Sequence, residues 1–284
     1  MTRLLPVNLA MALRVKVAAI ALLGGLLLSG EACAWGDMGH KIICELASRL
    51  VTQQTHTKIE QMIRADGEFS SFSEACTWAD QPRKRAGEHF LNLPRNSMGL
   101  SAENCDGASE CVVTAIDKDF AALAAKTTDA QSRVTSLKFL GHWVGDVHQP
   151  LHVSFADDRG GNEIKTTGEC GPNLHAIWDT CLVDRAVGAD VDAAASKLLS
   201  EVTPQQRRQW AGGTAKDWAN EAFAIARRQE TQYCEQQGDS FCVRRAASVT
   251  IDSAYVAVNS SVVREQLLKA AVRLARLLDR ALSP

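Results

Sequence analysis

Apolar residues recur at helical spacing over most of the chain. Ile42, Ile43, Leu46, Ala47 and Leu50 form one stripe three and four residues apart, and Val263, Leu267, Ala271, Leu274 and Leu278 form another near the C-terminus. Pro204 opens a further helical stretch running toward Arg228. Period-two alternation is scarce. Only the segment after Gly160-Gly161, with Ile164 and Thr166-Thr167, reads as a short hairpin or extended excursion. Residues 92–113, rich in Asn, Pro, Gly and Ser and closed by Cys105 and Cys111, read as a long loop. No repeat, linker or shift in composition divides the chain. The pattern predicts a mainly α fold, a single compact helical domain with a small β-hairpin.

The stretch from Val134 to His148 stands out. Val134, Leu137, Leu140, Val144 and Val147 line one face of a helix; Phe139, His142, Trp143 and Asp146 line the other. Apart from Lys138 it is apolar nearly all round, which predicts a central buried helix that ends before Pro150. His142 and Asp146 then lie one turn apart in the interior, where both must be paired, hydrogen-bonded or metal-bound.

The first 34 residues follow another rule. Arg3, Arg14 and Lys16 lead into an apolar run from Val17 to Leu28, too short to span a bilayer comfortably, and Ala32-Cys33-Ala34 places small residues at cleavage positions. Residues 1–34 therefore read as a secretory signal peptide, and 35–284 as a secreted or periplasmic domain that begins at Trp35 and keeps no membrane attachment. The length of the run speaks against an uncleaved anchor, and Gly30-Glu31-Ala32 against lipid attachment at Cys33. Eight of the nine cysteines lie beyond the cut, an even number that reads as four disulfides in an oxidising compartment. Short spacings favour Cys105–Cys111, Cys170–Cys181 and Cys234–Cys242, which leaves Cys44 with Cys76. A zinc–thiolate site competes, but no CxxC spacing occurs.

With 46% hydrophobic and 23% charged residues, the 284-residue chain has an ordinary globular composition, which excludes disordered, collagen-like and low-complexity classes. Its 31 basic and 33 acidic residues become 28 and 32 after the cut, too acidic a balance for gripping polyanions on a broad basic face.

The chemistry lies in the seven histidines. His142 and His175 each have an aspartate at i+4 (Asp146 and Asp179), His152 follows the Pro150 turn, and His89 follows Asp80 after a short connection. One H-x-x-x-D pair is usually a hydrogen bond; two of them, with three further histidines near Trp and Gly, point to a multinuclear metal site. Imidazole and carboxylate without thiolate suit zinc, ahead of manganese or iron. If cleavage exposes Trp35, its α-amine, with a pKa of about 8, and its carbonyl can chelate a metal. His40 lies five residues on; the alternative is an exposed Trp35 and an inconsequential His40.

The order of these motifs resembles the zinc-dependent single-strand-specific nucleases of fungi, plants and bacteria. Trp35-Gly36-x-x-Gly39-His40, Trp78-Ala79-Asp80, His89-Phe90, Gly141-His142-x-x-Gly145-Asp146-x-His148-Gln149-Pro150-Leu151-His152, Gly160-Gly161-Asn162 and Asn173-Leu174-His175-x-x-Trp178-Asp179 carry the likeness, which covers the whole chain after the cut. It implies a helical fold, similar to that of zinc phospholipases C, around three zinc ions. One ion is held by Asp80, His89 and His142, a second by the Trp35 amine and carbonyl with His40, with Asp146 bridging the two, and a third by His152, His175 and Asp179. It also implies that a zinc-activated hydroxide attacks phosphorus, that the third ion stabilises the leaving 3′ oxygen, and that products are 5′-phosphates, with 3′-nucleotidase activity besides. Asp80 and Asp146 are then the catalytic carboxylates. Arg83 resembles the cation placed at the phosphate, with a solvated place in the basic run Arg83-Lys84-Arg85 as the alternative. Phe90 matches the base-stacking aromatic, and Asn92 falls where relatives present a carboxylate to the base edge. The implied substrates are single-stranded DNA, RNA and mononucleotides, and the implied state is a monomer.

Two rivals remain from sequence. A zinc phospholipase C shares the trinuclear arrangement, but the short Trp35-to-His40 spacing and Asp rather than Glu at 179 favour the nuclease. A secreted zinc-binding protein without turnover is the other. Asn259-Ser260-Ser261 is a glycosylation sequon. Three zinc ions would turn a formal charge of -4 into about +2, so the acidic balance restricts capture to a local metal site without excluding a nuclease.

Overall fold

A computed structural model describes residues 35–283 except for 101–104, 106, 238–240 and 245–247. The expected signal peptide and Cys33 lie outside the described residues. The helices in chain order are α1 (Gly36–Leu50), α2 (Gln53–Asp66), α3 (Phe72–Ala75), α4 (Val112–Ala124), α5 (Ala130–Val147), α6 (Leu174–Ala176), α7 (Leu182–Val187), α8 (Val191–Glu201), α9 (Pro204–Trp210), α10 (Ala215–Ala226) and α11 (Ser253–Leu282). No described helix is long and apolar enough to cross a membrane.

The fold is mainly helical, as the periodicity predicts. α5 lies at its centre: Asp129 caps it by accepting from Ser132 N, and every residue from Ser136 to Val147 is buried. α1, α4 and α11 pack against it, their stripes meeting its apolar face. Ile42, Ile43, Leu46, Leu137, Leu140, Leu267, Leu274 and Leu278 are fully buried, each contributing about 1.5–3 kcal/mol over an exposed position. Lys138 is buried too, its ammonium between Asp66 (2.9 Å) and Glu68 (2.8 Å) and over the Trp78 ring. A buried ammonium needs such partners.

Three expectations change. The helix from Pro204 toward Arg228 is two helices: Gly212-Gly213 has low helix propensity, and Thr214 starts α10 afresh with a capping box to Asp217. The segment after Gly160-Gly161 is not a hairpin. Its strand β3 (Thr166–Gly168) pairs in parallel with β6 (Val249–Ile251), and the hairpin is instead β4 (Cys234–Gln237) with β5 (Phe241–Arg244). The long loop is shorter than 92–113, because β1 (Leu91–Leu93) pairs in parallel with β2 (Val153–Phe155) and α4 begins at Val112.

All four disulfides join as the spacing suggests: Cys44–Cys76, Cys105–Cys111, Cys170–Cys181 and Cys234–Cys242. They leave no thiolate among the described residues. The sequon asparagine is fully buried, its amide donating to Glu230 O (3.1 Å) and Tyr255 O (3.0 Å), so the folded chain offers it to no glycan.

Candidate metal centre

The ends of three helices and two loops meet at Asp146. α5 carries His142 and Asp146 on one face, and α1 lays His40 flat against His142, ring centroids 3.8 Å apart. That approach depends on Gly145: a Cβ there would lie 2.7 Å from His40 Nδ1. At the start of α1, Trp35 is fully buried in left-handed backbone, its indole N–H donating to Gly145 O (2.8 Å). Gly36, also left-handed at φ +47°, lets this turn sit on the backbone of Asp179, since a Cβ would lie 3.1 Å from Asp179 O.

Asp80 and Arg83 close a turn by bridging each other. Lys84 braces it by donating to Trp78 O, Gln81 O and Pro82 O. Arg85 pairs with Asp119 (2.6 Å) and Glu88 and covers the Phe139 ring. Two of the three basic neighbours are therefore structural, not members of a solvated run. Arg83 is half-buried, and its charge reaches Asp80, His152, His175 and Asp179. The β1–β2 pair brings the chain after His89 beside the chain after His152, and His152 Nδ1–H donates to His89 O (2.7 Å). His175 sits in α6, capped by Asn173, and Asp179 in the π-helical turn Ile177–Cys181 that continues it, a widening frequent at functional sites.

The donor atoms fall into three groups: His40 with His142 and Asp146, Asp80 with His89 and His142, and His152 with His175 and Asp179. Facing atoms lie 3.2 Å (His89 Nδ1–Asp146 Oδ2), 3.4 Å (His142 Nε2–Asp146 Oδ2), 3.5 Å (His40 Nε2–Asp146 Oδ1, His89 Nδ1–Asp80 Oδ1) and 3.4 Å (His175 Nε2–Asp179 Oδ2) apart. A tetrahedron with bonds of about 2.0–2.1 Å has edges of about 3.4 Å. The outward nitrogens are already spent: His89 Nε2 on Lys84 O, His142 Nδ1 on Cys76 O and His175 Nδ1 on Gly160 O. The inward nitrogens therefore present lone pairs, the tautomer a ligating histidine needs. Both oxygens of Asp146, Asp80 Oδ1, Asp179 Oδ2, His152 Nε2 and His40, whose neutral ring has one acceptor nitrogen, are buried without a hydrogen bond. Such orphaned acceptors fit a cation.

Electrostatics agree. Burial pushes His152 down to about 3 and His175 to about 4, and holds His142 well below the ordinary imidazole range, so these rings are neutral. Burial, reinforced by Asp146, lifts Asp80 to about 6, and burial lifts Asp179 well above the carboxylate range. Asp146 is held low despite its burial by the imidazoles around it, and its carboxylate raises His40 against the opposing effect of burial. Anionic carboxylates are costly here until a positive charge joins them.

Phe90 and Asn92 lie beside this cluster along the chain, both half-buried; Asn92 is on β1 opposite Ser154. Gln149, part of the motif but without a role from sequence, donates its amide to Asp179 Oδ1 (2.6 Å). The sequence reading passed over Asp119, which holds the Trp143 N–H (2.8 Å) while that ring stands edge-on to His89 and His142. Asp119 was visible as a carboxylate on the Val112, Ile116 and Leu123 stripe.

Comparison with known proteins identifies the family. Residues 35–283 match the S1/P1 Nuclease family. The chain is 28% identical to Nuclease S1 of Aspergillus oryzae, over 86% of this chain and 91% of that protein. It is 28% identical to Endonuclease 2 of Arabidopsis thaliana, over 87% and 90%. With Nuclease P1 of Penicillium citrinum it shares 27% identity, over 67% and 80%. The helical architecture is the phospholipase C-like fold of these nucleases, and the chain belongs to the S1/P1 nuclease family, enzymes that hydrolyse the phosphodiester bonds of nucleic acids.

Proposed function

We propose that the protein is a secreted or periplasmic zinc-dependent endonuclease that cleaves single-stranded DNA and RNA to 5′-phosphate products. It acts as a monomer after removal of residues 1–34 and also removes the phosphate from 3′-mononucleotides. The observation that carries this reading is Asp146, whose two buried oxygens lack hydrogen bonds and lie among the ring nitrogens of His40, His89, His142 and His152.

Asp80, His89 and His142 would hold one zinc, His40 and the freed Trp35 amine and carbonyl a second, and His152, His175 and Asp179 a third, with Asp146 available to the first two. Zinc in these places supplies an activated water for attack at phosphorus and positive charge for the phosphate and the departing 3′ oxygen. The rest is done by the chain. Arg83, whose charge already reaches two of the three groups, holds the phosphate and stabilises its growing negative charge. Phe90 is half-buried and lies outside the hydrophobic core, so its ring offers a face on which a base stacks. Asn92, donor and acceptor in one, meets the base edge. A base stacks on Phe90 only once it has left its duplex neighbours, which selects single strands.

The test is incubation of the processed protein with single-stranded DNA, duplex DNA, RNA and phosphatidylcholine, each with and without chelator. Chelator-sensitive release of 5′-mononucleotides from the single strands is expected. Cleavage of lipid alone, or equal rates on single and double strands, contradicts the proposal.

A further inference from the structure

Four arginines without carboxylate partners meet at one cavity far from the metal centre. Arg207 and Arg208 of α9 and Arg276 and Arg280 of α11 line a space of about 430 Å³, floored by Leu50 and Val272. We infer that this arginine-rimmed cavity is a second docking point, holding the phosphodiester backbone of the same single-stranded polynucleotide that is cut at the metal centre. The inference rests on the single-strand reading above.

The rest of the molecule shows why the cluster is unusual. Arg49, Arg85, Arg95, Arg264 and Arg273 each meet a carboxylate. The four cavity arginines form no ion pair among the described residues. Arg276 donates to Ala211 O (2.7 Å), Arg280 lies over the Phe120 ring, and Arg207 Nε is buried with no acceptor. Asp279, the carboxylate among the described lining residues, is occupied with Thr52 N (3.0 Å) and Oγ1 (3.1 Å). Basic residues in a last helical turn offset the helix dipole, which accounts for one or two at each helix end. It does not account for four arginines lining one apolar-floored space in a chain with more acidic than basic residues. Guanidinium forks match phosphate oxygens two bonds at a time, and the apolar floor suits the sugar and base between phosphates. Leu50 and His40 are ten residues apart on α1, about 15 Å at 1.5 Å per residue, so the cavity and the metal centre are separate. A long strand reaches both; a dinucleotide reaches one.

The metal-loaded R207Q/R208Q/R276Q variant separates them. Its kcat/KM on a dinucleotide is expected to equal that of the unsubstituted protein, which also reports correct folding. Its KM for a 20-nucleotide oligothymidylate is expected to rise roughly tenfold at low salt, and the slope of log KM against log salt to fall by about 2, three phosphate contacts at about 0.7 each. The single variant R208E, at an exposed side chain with no ion pair among the described residues, is expected to move KM the same way. Equal KM on the long strand at low salt overturns the inference, and so does a dinucleotide rate that falls as far as the long-strand rate. Binding of a sulfated polysaccharide at the cavity with none of the oligothymidylate overturns it too. If the unsubstituted protein cuts neither substrate, the single-strand reading fails and takes the docking site with it; if it cuts both and the variants match it, only the docking site fails.

Discussion

His142 and His148 lie six residues apart near the end of α5, both without exposed surface and both donating Nδ1–H to a backbone carbonyl at 2.7 Å. Their other nitrogens meet opposite chemistry. His148 Nε2 accepts from Arg273 (2.8 Å), which Glu221 in turn holds with two hydrogen bonds, so every lone pair is matched. His142 Nε2 faces His89 Nδ1 at 3.2 Å and Asp146 Oδ2 at 3.4 Å. Since His89 spends its own N–H on Lys84 O, acceptor faces acceptor, a contact that is stable only with a cation between them. Burial and residue type are the same at the two sites. What separates His142, the proposed ligand, from the structural His148 is the sign of the partner on the second nitrogen.

Three substitutions would break or sharpen this contrast. Asp146→Ala has the largest expected effect: it removes the carboxylate shared by the facing rings and should lower kcat by more than about a thousandfold, some 4 kcal/mol of transition-state stabilisation, with loss of bound zinc by elemental analysis. Full zinc content with near-normal kcat would contradict the assignment. Gly145→Ala should act less severely. Its Cβ would meet His40 Nδ1 at 2.7 Å and push the ring off its place, weakening zinc about 10–100-fold in a competition titration, while a helix that otherwise tolerates Ala stays folded. Unchanged zinc affinity would mean that His40 does not ligate. The smallest effect belongs to His148→Gln. Burial, and then the Arg273 charge, keep the folded His148 neutral well below the ordinary imidazole range. Below about pH 6.5 the unfolded chain takes a proton that the folded chain refuses, so this group lowers stability as the pH falls, by up to about 1.4 kcal/mol per unit. Chemical denaturation between pH 6.5 and 5 should show that much less slope in the variant, with zinc content intact; equal slopes would remove His148 from the account.

Much of the candidate centre was legible because the residues proposed as its ligands follow local geometry. Spacing of four residues on an apolar helix puts His142 with Asp146 and His175 with Asp179, whatever the rest of the chain does. The difference between His142 and His148 was not legible, because it is made by Arg273, 125 residues further along. The basic run Arg83-Lys84-Arg85 looks uniform in sequence, yet each side chain has a different task, set by carbonyls and carboxylates brought in by the fold. The helical class was readable from long periodic stripes. Three-residue strands carry no measurable period, and β1–β2 and β3–β6 join partners more than sixty residues apart, so the parallel pairs were invisible. The arginine-rimmed cavity of α9 and α11 has no counterpart in the sequence reading and emerges from packing alone.

The disulfides carry a last consequence, for how the molecule is made. Counted from Cys44 onward, each cysteine is joined to the very next one, and no bridge encloses or crosses another. Of the roughly one hundred pairings open to eight cysteines, this is the one in which thiols join two at a time in chain order. In the exported chain proposed above, thiols that pair in order of emergence therefore reach this scaffold with no bridge to break and remake.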